Sequence, residues 1–73
     1  MKGEGIKDAG QLILEANRLF SDGLYQKALY KVEAALRIDE KNSRAWAMRG
    51  SLMHLRGFKD LALVYWRKSL DLD

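Results

Sequence analysis

The 73-residue sequence contains no cysteine and no proline. Without cysteine it can form neither a disulfide nor a thiolate metal site, and this composition fits a reducing compartment. It also has no run of about 18 apolar residues that could span a membrane, and its first residues lack the apolar segment of a signal peptide. We therefore expect a cytoplasmic protein without membrane insertion.

Residues that commonly carry catalysis are also scarce. The single histidine, His54, has no cysteine beside it, and one imidazole among scattered carboxylates does not predict a metal site. The sequence has no glycine-rich phosphate loop, and its serines have no general base in view. Because an active site needs a nucleophile, an acid or base, or a metal held in a cleft, we expect no enzyme activity, no catalytic residue, no metal and no cofactor.

Charge is distributed unevenly along the chain. The net charge is +3, and residues 43–73 hold six Lys or Arg against three Asp or Glu. A basic half of this kind raises weak nucleic-acid binding as one alternative function, which would depend on salt because phosphate contacts release counterions. Scattered basic residues more often form a solvated face, so nucleic acid is the less favoured partner.

Apolar residues recur at helical spacing, without the two-residue alternation of strands. Asp8 and Gln11 have the spacing of a capping box ahead of a first helix, and Gly23 is suited to end that helix. Asn42 or Ser43 can cap a third helix. The predicted helices span about residues 9–21, 25–38, 43–55 and 59–72.

Short loops between these helices predict antiparallel neighbours. We therefore expect an all-α fold of two stacked antiparallel helix hairpins, in which Trp46 and Trp66 are mostly buried. Small residues, Ala16 and Gly50 among them, should allow the helices to approach closely. The expected core-facing positions are Leu12, Ala16, Leu19, Ala28, Leu29, Val32, Ala35, Leu36, Trp46, Gly50, Met53, Ala62, Leu63, Trp66 and Leu70.

The sequence repeats itself at a constant separation. The segment 23–28, Gly-Leu-Tyr-Gln-Lys-Ala, recurs as 57–62, Gly-Phe-Lys-Asp-Leu-Ala, and Leu29 recurs as Leu63. This separation, from Gly23 to Gly57, is the repeat offset. A period of about 34 residues indicates stacked supersecondary units. The predicted division is a flexible N-terminal segment 1–8, a first repeat 9–42 and a second repeat 43–73 that is incomplete at its end, together forming one domain.

These repeated residues resemble the tetratricopeptide repeat family. Residues 45–50, Ala-Trp-Ala-Met-Arg-Gly, match the opening of the family pattern, and 23–25, Gly-Leu-Tyr, match its turn. Ala62, Trp66 and Ser69 match its end. The resemblance covers residues 9–73, although the family's leucine before the glycine is replaced by a charged residue in both repeats.

The resemblance implies a concave groove, lined by the first helix of each repeat, in which a peptide of another protein lies. Carried onto this sequence, the groove-facing residues are Gly10, Ile13, Leu14, Asn17, Phe20, Ser21, Arg44, Ala47, Met48, Ser51, His54 and Leu55. The candidate partner-binding residues among them are Ile13, Leu14, Asn17, Phe20, Arg44, Met48, Ser51 and Leu55. Their apolar members suit the apolar face of a helix or of an extended segment. We therefore expect a protein–protein interaction module, an adaptor or scaffold that binds a peptide or amphipathic helix of a partner.

A second surface is predicted from the differences between the two repeats. At the repeat offset, Lys27 becomes Leu61 and Lys31 becomes Tyr65. The resulting apolar patch on the fourth helix comprises Leu61, Val64, Tyr65 and Leu72. Such a patch usually marks an interface, which favours either a homo-oligomer or packing against a further repeat. The alternative function is therefore a self-assembling structural repeat unit.

Overall fold

A computed structural model describes residues 8–73, and within that range the chain is all-helical, with no strand. The four helices are α1 (Ala9–Ser21), α2 (Tyr25–Ile38), α3 (Ser43–Leu55) and α4 (Lys59–Leu72). These bounds confirm the predicted helices. The bounds of α3 and α4 are those of α1 and α2 shifted by the repeat offset. The predicted flexible segment 1–8 lies outside the described residues, except for Asp8.

Side-chain caps begin α1 and α3. Asp8 accepts a hydrogen bond from the backbone N–H of Gln11 at 2.8 Å, and the Gln11 side chain accepts one from the Asp8 backbone N–H at 3.4 Å. Asn42 caps α3 by accepting from the N–H of Ala45 at 3.1 Å. Since the first N–H groups of a helix have no partner within it, these oxygens stabilise both helix starts.

The same turn ends α1 and α3. Gly23 and Gly57 adopt positive φ values of 79° and 89°. After Gly23, the N–H of Leu24 reaches back to the carbonyl of Leu19 at 2.8 Å, and the N–H of Phe58 makes the equivalent bond to Met53 at 2.9 Å. This is the Schellman arrangement, which favours glycine because a side chain is strained at positive φ.

The helices pack as two hairpins, α1 on α2 and α3 on α4, and the hairpins stack mainly through α2 and α3. Ala16, Ala28, Val32 and Ala35 are completely buried. Their small size permits the close helix approach that the sequence predicted. Within residues 8–73, no helix is long and apolar enough to cross a membrane.

Both tryptophans lie on the second hairpin and are partly buried. The indole Nε1 of Trp66 donates to the carbonyl of Ala47 at 3.1 Å, and Nε1 of Trp46 donates to the carbonyl of Glu40 at 2.7 Å. Each ring therefore combines packing with a satisfied polar group, as buried indoles usually do.

The fourth helix differs from the expectation for its core face. Leu63 and Leu70 are 61% and 76% exposed, whereas Leu29 and Leu36, their counterparts in the first repeat, pack in or against the core. Among the described residues of α4, Ala62 alone is fully buried. The expectation that Leu63 and Leu70 face the core is wrong because α3 covers α2, while no described element covers the corresponding side of α4.

Candidate functional site

A cleft of about 290 Å³ lies between α1 and the beginning of α3. Its lining residues are Gly10, Ile13, Leu14 and Asn17 from α1, with Asn42, Ser43 and Arg44 from the start of α3. The structure thus brings together residues from two separate parts of the sequence. Five of them belong to the predicted groove: Gly10, Ile13, Leu14, Asn17 and Arg44.

The cleft has an apolar base and a polar rim. Ile13 is only 3% exposed, so it forms the floor, whereas Leu14 is 66% exposed at the edge. Asn17 and Arg44 are exposed. An amide can donate and accept hydrogen bonds, and a guanidinium only donates and carries a positive charge. The cleft is therefore equipped for an apolar group beside a hydrogen-bonding or negatively charged one.

Two lining residues, Asn42 and Ser43, were not predicted as groove residues. The side chain of Asn42 is engaged as the cap of α3, and the carbonyl of Ser43 accepts from the hydroxyl of Ser69 at 2.8 Å. This second bond ties the start of α3 to the last turns of α4. The two interactions fix the backbone that carries Arg44. The cap pattern in the sequence identified Asn42, but only as a helix signal.

The other predicted groove residues lie outside this cleft. Phe20 is partly buried and contacts Tyr25, with 5.3 Å between ring centroids. Met48 packs against the core, and Ser51 is partly buried. Leu55, at the end of α3, is exposed. Substitutions at Phe20 or Met48 would therefore disturb packing as well as any binding surface.

Glu15 and Arg49 occupy the same position in the two repeats, and both are paired. Glu15 Oε1 lies 3.0 Å from Lys31 Nζ, and Arg49 Nη2 lies 3.6 Å from Glu33 Oε2. Arg49 also stacks over the ring of Tyr65, with 4.8 Å from its guanidinium carbon to the ring centroid. Each of these two charged residues therefore has an oppositely charged partner on a neighbouring helix.

The predicted patch on α4 is divided in the structure. Leu61 and Val64 are exposed, whereas Tyr65 and Leu72 are partly buried. Tyr65 packs against Trp46, with 5.5 Å between ring centroids, so it belongs to the α3–α4 hairpin contact. The exposed large apolar side chains of α4 are Leu61, Leu63, Val64 and Leu70.

No group of three or more His, Cys, Asp or Glu side chains within residues 8–73 is arranged to hold a metal ion. His54 lies on the surface, and its ring centroid is 5.6 Å from that of Trp66. The contact that the structure shows for His54 is therefore an aromatic one with α4.

In comparisons with known proteins, no family model, curated protein or solved structure matches this chain.

Proposed function

We propose that the chain is a protein–protein interaction module of the tetratricopeptide type, and that the cleft between α1 and α3 binds a short segment of a partner protein. The ligand is an apolar peptide segment with a carboxylate group next to Arg44. The observation that carries the proposal is the convergence of Ile13, Leu14, Asn17 and Arg44 on one cleft.

The lining of the cleft supports this ligand chemistry. An apolar side chain on the peptide would cover Ile13 and Leu14, while Asn17 can hydrogen-bond the peptide backbone. Arg44 is exposed and has no salt bridge to any residue described in the structure. A peptide carboxylate would therefore add an ion pair without breaking one.

The correspondence of the helices at the repeat offset supports the proposed family. Helices, glycine turns and small contact residues recur in the same order in both hairpins. In proteins of this architecture, successive repeats place their first helices side by side and create extended binding surfaces. The cleft lies between the two first helices, α1 and α3.

The test is selection of ligands from a random peptide library by the purified chain, followed by titration of the selected peptides. We expect selected peptides to share an apolar residue near Asp or Glu. Arg44→Glu should weaken their binding by about threefold or more, since an exposed ion pair contributes roughly 0.2–1 kcal/mol and reversal adds repulsion. Leu14→Asp should also weaken binding.

Lys41→Glu is the matched control because it changes the charge by the same amount in the exposed turn before α3. It should leave affinity within about twofold, as expected for a charge outside the contact. Amide chemical-shift changes on peptide addition should map to residues of the cleft. Changes confined to another face, or equal effects of Arg44→Glu and Lys41→Glu, would reject the proposed site.

A further inference from the structure

The junction between the two hairpins shows how one hairpin of this chain receives another. Leu29 on α2 is buried, and Leu36 packs against the core. Between them along α2, Glu33 forms its salt bridge with Arg49 of α3. Leu29 and Leu36 lie four residues before and three residues after Glu33, which places all three on one face of α2. We therefore infer that the junction sets two leucines of α2 around an ion pair to α3.

The same leucines recur on α4, where they are exposed. At the repeat offset, Leu63 and Leu70 correspond to Leu29 and Leu36, and Arg67 corresponds to Glu33. Leu63, Val64 and Arg67 line a surface depression of about 300 Å³. The outer face of α4 thus repeats the α2 face of the junction, with a positive charge in place of the negative one.

On the outer face of α1, a negative charge replaces the positive charge that α3 carries at the same repeat position. Glu15 occupies the position in the first repeat that Arg49 occupies in the second. Glu15 lines a depression of about 420 Å³ together with Leu14, Arg18, Leu19 and Lys31. Its carboxylate binds Lys31, and an ionised carboxylate offers about four acceptor sites, which more than one cation can share.

We propose that the chain stacks head to tail with further copies of itself, the outer face of α4 of one copy packing on the outer face of α1 of the next. This contact repeats the arrangement of α2 on α3, and Arg67 pairs with Glu15 of the next copy. The inference rests on the charges of the two outer faces. Within the chain, Glu33 of α2 pairs with Arg49 of α3. Between copies, Arg67 of α4 would meet Glu15 of α1, so the signs are exchanged but opposite charges still face each other. The proposal does not depend on the peptide cleft.

The charges also favour head-to-tail stacking over a dimer in which the α4 helices of two copies pack on each other around a two-fold axis. Arg67 lies between Leu63 and Leu70 on the exposed face, so a two-fold contact centred there sets two guanidinium groups opposite each other. A head-to-tail contact supplies a carboxylate instead. Such a contact is heterologous, and it adds copies until the array closes into a ring or continues as a filament.

The new junction is expected to be weaker than the internal one. Leu52 on α3 is 1% exposed, and its counterpart on α1 at the repeat offset is Arg18. The end-to-end contact therefore buries less apolar surface than α2 buries on α3. We expect reversible association that increases with protein concentration.

The test is the weight-average mass by sedimentation equilibrium, from about 10 μM to about 1 mM, a range that covers weak association. The unmodified chain should increase in mass with concentration beyond a dimer. Arg67→Glu alone and Glu15→Arg alone should each reduce this association, because like charges then meet. An equimolar mixture of the two variants should restore it, since each junction in an alternating array is again complementary.

The control Lys41→Glu should associate like the unmodified chain, and Arg44→Glu in the peptide cleft should do the same. Glu15→Arg removes the pair with Lys31, so circular dichroism must show unchanged helicity, and Glu15→Gln provides a milder second variant. A strict monomer at about 1 mM would overturn the proposal. Association that stops at a dimer, or that responds to Arg67→Glu but not to either Glu15 variant, would assign the α4 face to a two-fold contact instead.

Discussion

A Cβ atom placed on Gly50 would lie 2.5 Å from Cδ1 of Trp66, well inside normal contact. The indole cannot easily retreat, because its Nε1 is hydrogen-bonded to the carbonyl of Ala47. In the first repeat the corresponding pair is Ala16 and Val32, both completely buried. In the first hairpin, alanine at this position packs against valine. In the second hairpin, glycine leaves room for the larger tryptophan.

Gly50→Ala should lower the free energy of unfolding by about 1–3 kcal/mol, because the added methyl overpacks the contact with Trp66. This loss exceeds the gain of roughly 0.5–1 kcal/mol that alanine normally brings to a helix. Urea unfolding followed by circular dichroism measures it. Gly10→Ala is the matched control in α1, since among residues 8–73 its Cβ would meet only Asp8 Oδ1, at 3.4 Å. Equal stability changes for the two variants would contradict the steric explanation.

Trp66→Val should partly rescue Gly50→Ala. The double variant recreates in the second hairpin the Ala16–Val32 pair of the first. Trp66→Val alone should be costly, up to about 3–5 kcal/mol, the range for truncating a buried Trp or Phe to alanine. We expect a favourable coupling of about 0.5–3 kcal/mol in the double-mutant cycle, because the two residues are in contact. Strict additivity of the two changes would show that the side chains do not share the same space.

Gly23→Ala and Gly57→Ala should each lower the free energy of unfolding by about 1–2 kcal/mol, the cost of a left-handed conformation for a residue with Cβ. No atom of residues 8–73 lies within 4 Å of a Cβ built at either position, so we expect the loss to come from the backbone. Asparagine tolerates this conformation better than alanine does, and Gly23→Asn should therefore be the milder change. Thermal unfolding of the three variants checks this order, and a larger loss for asparagine than for alanine would refute it.

Local signals explain why the helix bounds could be predicted from the sequence. Asp8 and Asn42 provide acceptors at helix starts, and Gly23 and Gly57 permit the turns that end helices. Each of these signals acts within about five residues, so no knowledge of the tertiary structure was needed.

Burial on α4 could not be predicted in the same way. Leu29 and Leu63 occupy the same position in the repeat, yet one is buried and the other exposed. Burial depends on which helix packs outside, and periodicity reports the apolar face without reporting its partner. The cleft was likewise only partly predictable, because Phe20 and Met48 have the right helical spacing but turn toward neighbouring side chains.

Asn42→Ala should lower the free energy of unfolding by about 0.5–2 kcal/mol, because the N–H of Ala45 loses its side-chain acceptor. Asn42→Asp keeps an acceptor oxygen at the same position and also places a negative charge at the start of α3, where the helix dipole favours it. It should therefore retain most of the stability. Melting temperatures of both variants measure the difference, and similar losses for alanine and aspartate would argue against capping as the cause.

Leu29→Ala and Leu63→Ala provide a matched comparison of the covered and exposed copies of one repeat position. Leu29 is 9% exposed, so its truncation should cost about 2–5 kcal/mol. Leu63 is 61% exposed, and its truncation should change the free energy of unfolding of the dilute chain by no more than about 0.5 kcal/mol. If copies stack head to tail, the effect of Leu63→Ala should grow with protein concentration, because unfolding is then coupled to association. Urea unfolding at low and high concentration separates the two effects. A large loss for Leu63→Ala in the dilute chain would contradict the exposed position of Leu63 on α4.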